Sequence, residues 1–170
     1  LKKSINANIL FLVCAVLITV FIIACSENTT TNTQNPGTPE AGTMSGTITF
    51  YDTNRVYSSN GYYDLSAYSS WPPTGAPNGS DTIKLTKNGN QYIGTFKVKG
   101  LTGGGSYVLV AAWIKTPYGP GSVYVQGVRG CDTNRTCYFV NPKRDTLPTN
   151  QGLENLNFNA ALDTTSKVRF

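Results

Sequence analysis

The chain has 170 residues, with 14 Lys and Arg, nine Asp and Glu, and a formal net charge of +5. Charged residues make up 14% and aromatics 11%, with 17 glycines and nine prolines, which excludes a coiled coil, a long-helix bundle and a charge-rich disordered chain. There is no histidine, so a Ser-His-Asp triad, a His-ligated metal and a His acid/base are all excluded.

Lys2 and Lys3 open the chain, and Ile9 to Ala24 is apolar except for Thr19. A basic start followed by an apolar run short of the ~20 residues of a spanning helix predicts a helical export signal over 1–24. The run ends Ile22-Ile23-Ala24-Cys25, which resembles the lipobox of bacterial lipoproteins. The resemblance implies that the Cys25 thiol takes a diacylglyceryl group and that the Ala24–Cys25 bond is then cut. Cys14 does not fit, because the bulky Val13 precedes it. The competing expectation is an uncleaved anchor that happens to end in cysteine. The lipobox implies an exported protein with the membrane as its partner, lipid-anchored to the bacterial envelope. Ser26 after the cysteine is compatible with the outer membrane or cell surface. Losing residues 1–24 removes Lys2 and Lys3 and no acid. The remaining basic residues are scattered from Arg55 to Arg169, too sparse for a nucleic-acid groove.

Residues 25–45 read as the lipidated cysteine and a flexible Thr/Asn/Pro tether. Past Cys25 they carry no aromatic and no branched aliphatic side chain. As a coil the tether spans ~25 Å.

Residues 46–170 read as strands. Thr47–Phe50 alternates with Ile48 and Phe50 inward, and Tyr63–Ala67 alternates again. Thr82–Lys87 places Ile83 and Leu85 on one face, and Asn88-Gly89 signals a hairpin into Gln91–Lys99. Tyr107–Ile114 is apolar on both faces, the mark of a central strand. Ser122–Val128, Thr136–Val140 and Leu156–Leu162 complete the set. All prolines lie outside these runs, as ladder hydrogen bonding requires. The expected architecture is an all-β, immunoglobulin- or prealbumin-like antiparallel β-sandwich of about seven to eight strands.

The run Phe96-Lys97-Val98-Lys99-Gly100-Leu101-Thr102-Gly103-Gly104-Gly105-Ser106-Tyr107-Val108-Leu109-Val110-Ala111 resembles an element of prealbumin-like and carboxypeptidase-regulatory-like domains. The resemblance implies that Leu101 plugs the end of the core and that Tyr107 hydrogen-bonds back to the turn. Three consecutive glycines depart from the shorter turn of that family. Such domains are mostly non-catalytic modules or assembly units, so the resemblance speaks to fold more than to function.

Cys131 and Cys137 sit between two expected strands, and in an exported chain they read as a disulfide clasping a hairpin. Loop closure gives about 2.4 kcal/mol. A metal site lacks further ligands here, and two free thiols are the other alternative. The tetrapeptide Asp-Thr-Asn-Arg occurs at 52–55 and 132–135, where Asp and Asn favour turns. Asn134 also lies in a match to the acidic sequon of bacterial N-glycosylation. Thr82, Thr146 and Thr164 follow aspartates in a pattern that resembles a bacterial O-glycosylation motif.

Two loops combine proline with aromatic rings, one at Trp71 and one at Tyr118. Stiff loops displaying rings suit a sugar-stacking platform, and they equally suit sealing the ends of a sandwich. No nucleophile with a partnering base, no phosphate-binding loop and no close carboxylate pair is apparent, so neither catalysis nor a cofactor is expected. The expected function is a non-catalytic envelope lipoprotein carrying a binding or accessory module, with a surface glycan as a candidate partner. The alternative is a structural subunit of an extracellular filament or coat that self-associates by strand pairing. The alternating tail Ser166–Phe170 would be the lent strand.

Overall fold

The computed structural model describes residues 37–51, 60–140 and 142–161. In chain order the strands are β1 (Met44–Tyr51), β2 (Gly61–Tyr68), β3 (Gly79–Ile83), β4 (Leu85–Asn88), β5 (Gln91–Val98), β6 (Ser106–Lys115), β7 (Val123–Val128), β8 (Asp145–Thr146) and β9 (Phe158–Ala161). They form a four-stranded sheet in the order β4-β5-β1-β9 and a five-stranded sheet in the order β3-β2-β6-β7, with β8 on β6. The described residues contain no helix, and the chain is an all-β sandwich.

The inner faces meet as the alternation requires. Ile48 and Phe50 of β1, Tyr63 and Leu65 of β2, Phe96 and Val98 of β5 and Leu109 and Ala111 of β6 share one buried cluster. Burying each large side chain contributes about 1.5–3 kcal/mol. Phe50 meets Tyr63 edge-on across the layers, with ring centroids 5.5 Å apart. Leu101 is buried at the end of this cluster. The Tyr107 hydroxyl accepts from the Thr102 amide at 3.0 Å and donates to the Thr102 carbonyl at 3.1 Å. The glycine run that departs from the related turn has a steric cause. A Cβ on Gly103 would lie 2.5 Å from the Thr149 carbonyl oxygen, and one on Gly105 would lie 2.5 Å from the Tyr107 hydroxyl. Gly104 takes a φ of 80°, which disfavours side chains.

Four expectations need correction. Thr82–Lys87 is not one strand: Ile83 ends β3 in one sheet and Leu85 begins β4 in the other, with the exposed Lys84 between them. Ile83 and Leu85 are both packed on the same inner core, which is why the alternation looked continuous. Thr136–Val140 is a run of turns, not a strand. The amide of Cys137 donates to the Asn134 carbonyl, Tyr138 to Arg135 and Val140 to Cys137, each three residues back. Its side chains do not share the burial of a strand face, since Tyr138 is buried while Val140 is 80% exposed. The sandwich is not wholly antiparallel, because β9 pairs with β1 in parallel register. Finally, the domain begins before residue 46. Thr43 and Met44 are buried, the Thr43 carbonyl accepts from the Leu153 amide, and Glu40 pairs with Lys97 at 2.8 Å. A single Met side chain, rather than a branched aliphatic, supplies the apolar anchor there. Leu162 and the tail 164–170 lie outside the described residues, as do most of the tether, Cys25 and the export signal.

A buried ion pair ties the far end together. Arg129 Nε donates to Asp145 at 2.7 Å, and Arg129 Nη1 donates to the Asn157 carbonyl at 2.7 Å. Both charged side chains are largely withdrawn from water, at 12% and 6% exposure, so losing either partner would strand the other.

Candidate binding groove

The outer face of the five-stranded sheet carries the site. In β2 the inward positions are Tyr63, Leu65 and Ala67, so Tyr62, Asp64, Ser66 and Tyr68 project outward. In β6 the outward positions are Val108, Val110, Ala112 and Ile114. Register sets Asp64 opposite Ala112 and Ser66 opposite Val110, with Thr82 and Ser80 of β3 on the other side.

One half of this face is covered. The turns after Cys131 fold over it and press Tyr138 onto Val108, Val110, Val125 and Val128. The Tyr138 hydroxyl donates towards the Asp132 carbonyl at 3.0 Å, and burial pushes its pKa up to about 12. Cys131 and Cys137 are joined as a disulfide, which closes this covering loop rather than a hairpin. Trp71 belongs to the same cover. Its Nε1–H donates to the Tyr138 carbonyl at 2.6 Å, and its ring stacks on Phe139 at 6.2 Å.

The other half is open as a groove of about 200 Å³. Its floor is Asp64, Ser66, Val110 and Ala112, and Tyr62, Tyr68 and Tyr118 stand around it. Tyr118 rides on the loop between β6 and β7 and is 75% exposed. Buried Ser122 fixes that loop: its Oγ accepts from the Gly119 amide at 2.9 Å, and its carbonyl accepts from the Lys115 amide at 2.8 Å. Trp71 and Tyr118 therefore do not form one platform. Tyr118 lines the groove, while Trp71 packs behind Tyr68 at 6.0 Å.

Asp64 is the group that sequence reasoning missed. It is only 5% exposed, and Ser66 Oγ donates to its Oδ2 at 2.7 Å. Burial is the main cause that raises its pKa to about 6; the Ser66 hydrogen bond opposes the rise and Asp81 adds to it. The signal was present, since aspartate is depleted in strands and Asp64 is the one aspartate not followed by threonine. Such a carboxyl exchanges a proton near neutral pH. Asp81 does not join it in the groove, because Asp81 Oδ2 accepts from the Lys97 amide at 2.7 Å. Among the described residues no group of three or more Cys, Asp or Glu is placed to hold a metal ion.

Of the candidate glycosylation residues, Thr82 borders the groove opposite Asp64, while Asn134 and Thr146 do not line it. Thr82, Asn134 and Thr146 are exposed, and Thr164 lies outside the described residues. Asn134 Oδ1 accepts from the Thr136 amide at 3.2 Å, as a turn-forming asparagine does. The aspartates of these motifs, ahead of Thr82, Asn134 and Thr146, have structural partners: Asp81 on Lys97, Asp132 on Asn159 at 2.8 Å, and Asp145 on Arg129.

Comparison with known proteins returns no matching protein family, no matching curated protein and no matching solved structure.

Proposed function

We propose that this chain is a non-catalytic binding module of the bacterial envelope, exported and held by lipid on Cys25, with the tyrosine-rimmed groove as its binding face. The observation that supports binding most directly is that half of one sheet's outer face is deliberately roofed while the adjoining half is left concave, polar-floored and ringed by tyrosines. Tyrosine rings pack on the C–H faces of sugars, and their hydroxyls and those of Ser66 and Ser80 suit a hydroxyl-rich ligand, so a surface glycan is the ligand class. The strand-lending alternative has less support. The edge strands β4 and β9 have four residues each, and the tail that would be lent lies outside the described residues.

A glycan array probed with the full chain and with Tyr118→Ala tests the reading. Wild-type protein should retain a defined set of glycans, and Tyr118→Ala should lose them with its melting temperature unchanged. Binding that is absent in the wild type, or indifferent to Tyr118, overturns the groove as the binding face.

A further inference from the structure

The groove combines three features that together narrow its ligand. Its floor holds a carboxyl group with one oxygen, Oδ2, bonded to Ser66, while Oδ1 takes no partner among the described residues. Among the described residues no lysine or arginine lines the groove, although the chain as a whole is basic. Three tyrosines surround that carboxyl, and aromatic rings attract cations brought near their faces. An acidic floor under an aromatic rim, inside a protein of opposite net charge, is complementary to a compact cation.

We infer that the groove takes a non-acetylated amino sugar residue, whose ammonium group meets the Asp64 carboxylate while its ring packs among Tyr62, Tyr68 and Tyr118. This rests on the groove being the binding face, and it names the chemistry that face selects. The volume of about 200 Å³ is below that of drug-sized pockets and suits one sugar ring. The hydroxyls of Ser66 and Ser80 lie beside the carboxyl to meet the ring's own hydroxyls. The burial that makes ionised Asp64 costly in the free protein is offset when an ammonium arrives, so the charge preference comes from the floor itself.

Binding then depends on pH with a defined sign. The titratable or charged groups facing Asp64 are Tyr62 and Tyr68 on its own strand, Asp81 through β3, and Tyr118 on the loop, while β6 and β7 bring aliphatic side chains. Asp64 takes up a proton as the pH falls through about 6, which removes the ammonium's counter-ion. Affinity for an ammonium that stays charged over the range should fall about tenfold between about pH 7 and about pH 5.

The test is titration calorimetry of the full chain with three probes: a glucosamine oligomer, the matching N-acetylglucosamine oligomer, and Nα-acetyl-lysine methylamide. The glucosamine oligomer should bind at least about tenfold more tightly than its acetylated counterpart. Asp64→Asn should erase that difference. Thr82→Lys provides a second variant, because Thr82 is exposed and directly opposite Asp64, so its new ammonium should compete for the carboxylate and weaken glucosamine binding. Equal binding of both oligomers, unmoved by Asp64→Asn, overturns the ammonium inference and leaves the groove reading standing. Tighter binding of the lysine derivative overturns the saccharide as the carrier of the ammonium. No binding of any probe overturns the ammonium inference, and binding indifferent to Tyr118→Ala overturns both readings together.

Discussion

The two halves of the outer face of the five-stranded sheet are built on the same strands and differ in what lies above them. On one half, Val108, Val110, Val125 and Val128 are sealed beneath Tyr138, Cys131 and Trp71. On the other, Asp64 and Ser66 stand beneath a rim of tyrosines with an open centre. Val110 borders both. The floor follows the cover: where a roof exists the sheet presents valine, and where it is missing the sheet presents a carboxyl and hydroxyls among its aliphatic residues. A sandwich needs only its inner face for stability, so its outer face is free to be divided in this way.

The largest effect should come from the roof. Tyr138→Ala removes a fully buried ring and its hydrogen bonds, and should cost about 3–5 kcal/mol, read as a lower urea midpoint. Tyr118→Ala on the open half should shift the same midpoint by less than about 0.5 kcal/mol. Similar losses at the two positions would erase the distinction between roof and rim.

Removing the staple is next. Replacing Cys131 and Cys137 together by serine should cost about 2 kcal/mol. An unchanged midpoint would show that packing alone holds the roof down.

Asp64 gives the most sharply defined of these effects. Its carboxyl titrates at about 6 in the fold against 3.8 for a free side chain, so the folded state favours the protonated form. Its contribution is fully present below about pH 4 and is lost as the pH rises through about 6, a swing on the order of 3 kcal/mol. Stability of the wild type relative to Asp64→Asn should therefore decline between about pH 4 and about pH 7.5. Glu40 works in the opposite sense, since its hydrogen bond to Lys97 lowers its pKa, and the comparison with Asp64→Asn cancels it. A difference that does not change with pH would mean that Asp64 is better solvated than its burial indicates.

The legible parts of the sequence were those whose partners are near in the chain or repeat with period two. Ile48, Phe50, Phe96, Val98 and Leu109 revealed their inward face by alternation alone, and Leu101 and Tyr107 were readable from a local turn. The roof was not readable, because Tyr138 acquires its burial from Val108 and Val125, which are distant in sequence. Thr136–Val140 mimicked a strand because it is rich in bulky side chains, yet turn-forming hydrogen bonds from Asn134 onward take over its backbone. The groove was hidden for a related reason. Asp64 and Ser66 fall where a one-sided strand normally meets water, and alternation cannot tell an outward position under open solvent from one flanked by tyrosines. Trp71 was readable equally as a display ring or as a seal, because nothing local shows that its indole N–H donates to the distant Tyr138 carbonyl.

The way β1 leaves its sheet has a mechanical consequence. β1 is an interior strand of its sheet, paired with β5 from Met44↔Val98 to Phe50↔Tyr92 and with β9 on its other side. Inter-strand hydrogen bonds lie across the strand direction. A pull applied to the chain ahead of Met44 therefore acts along β1 and loads those bonds in shear, many at once. It does not peel them apart one after another. A domain held from its amino-terminal side, as proposed above, would meet a pull with this shear geometry.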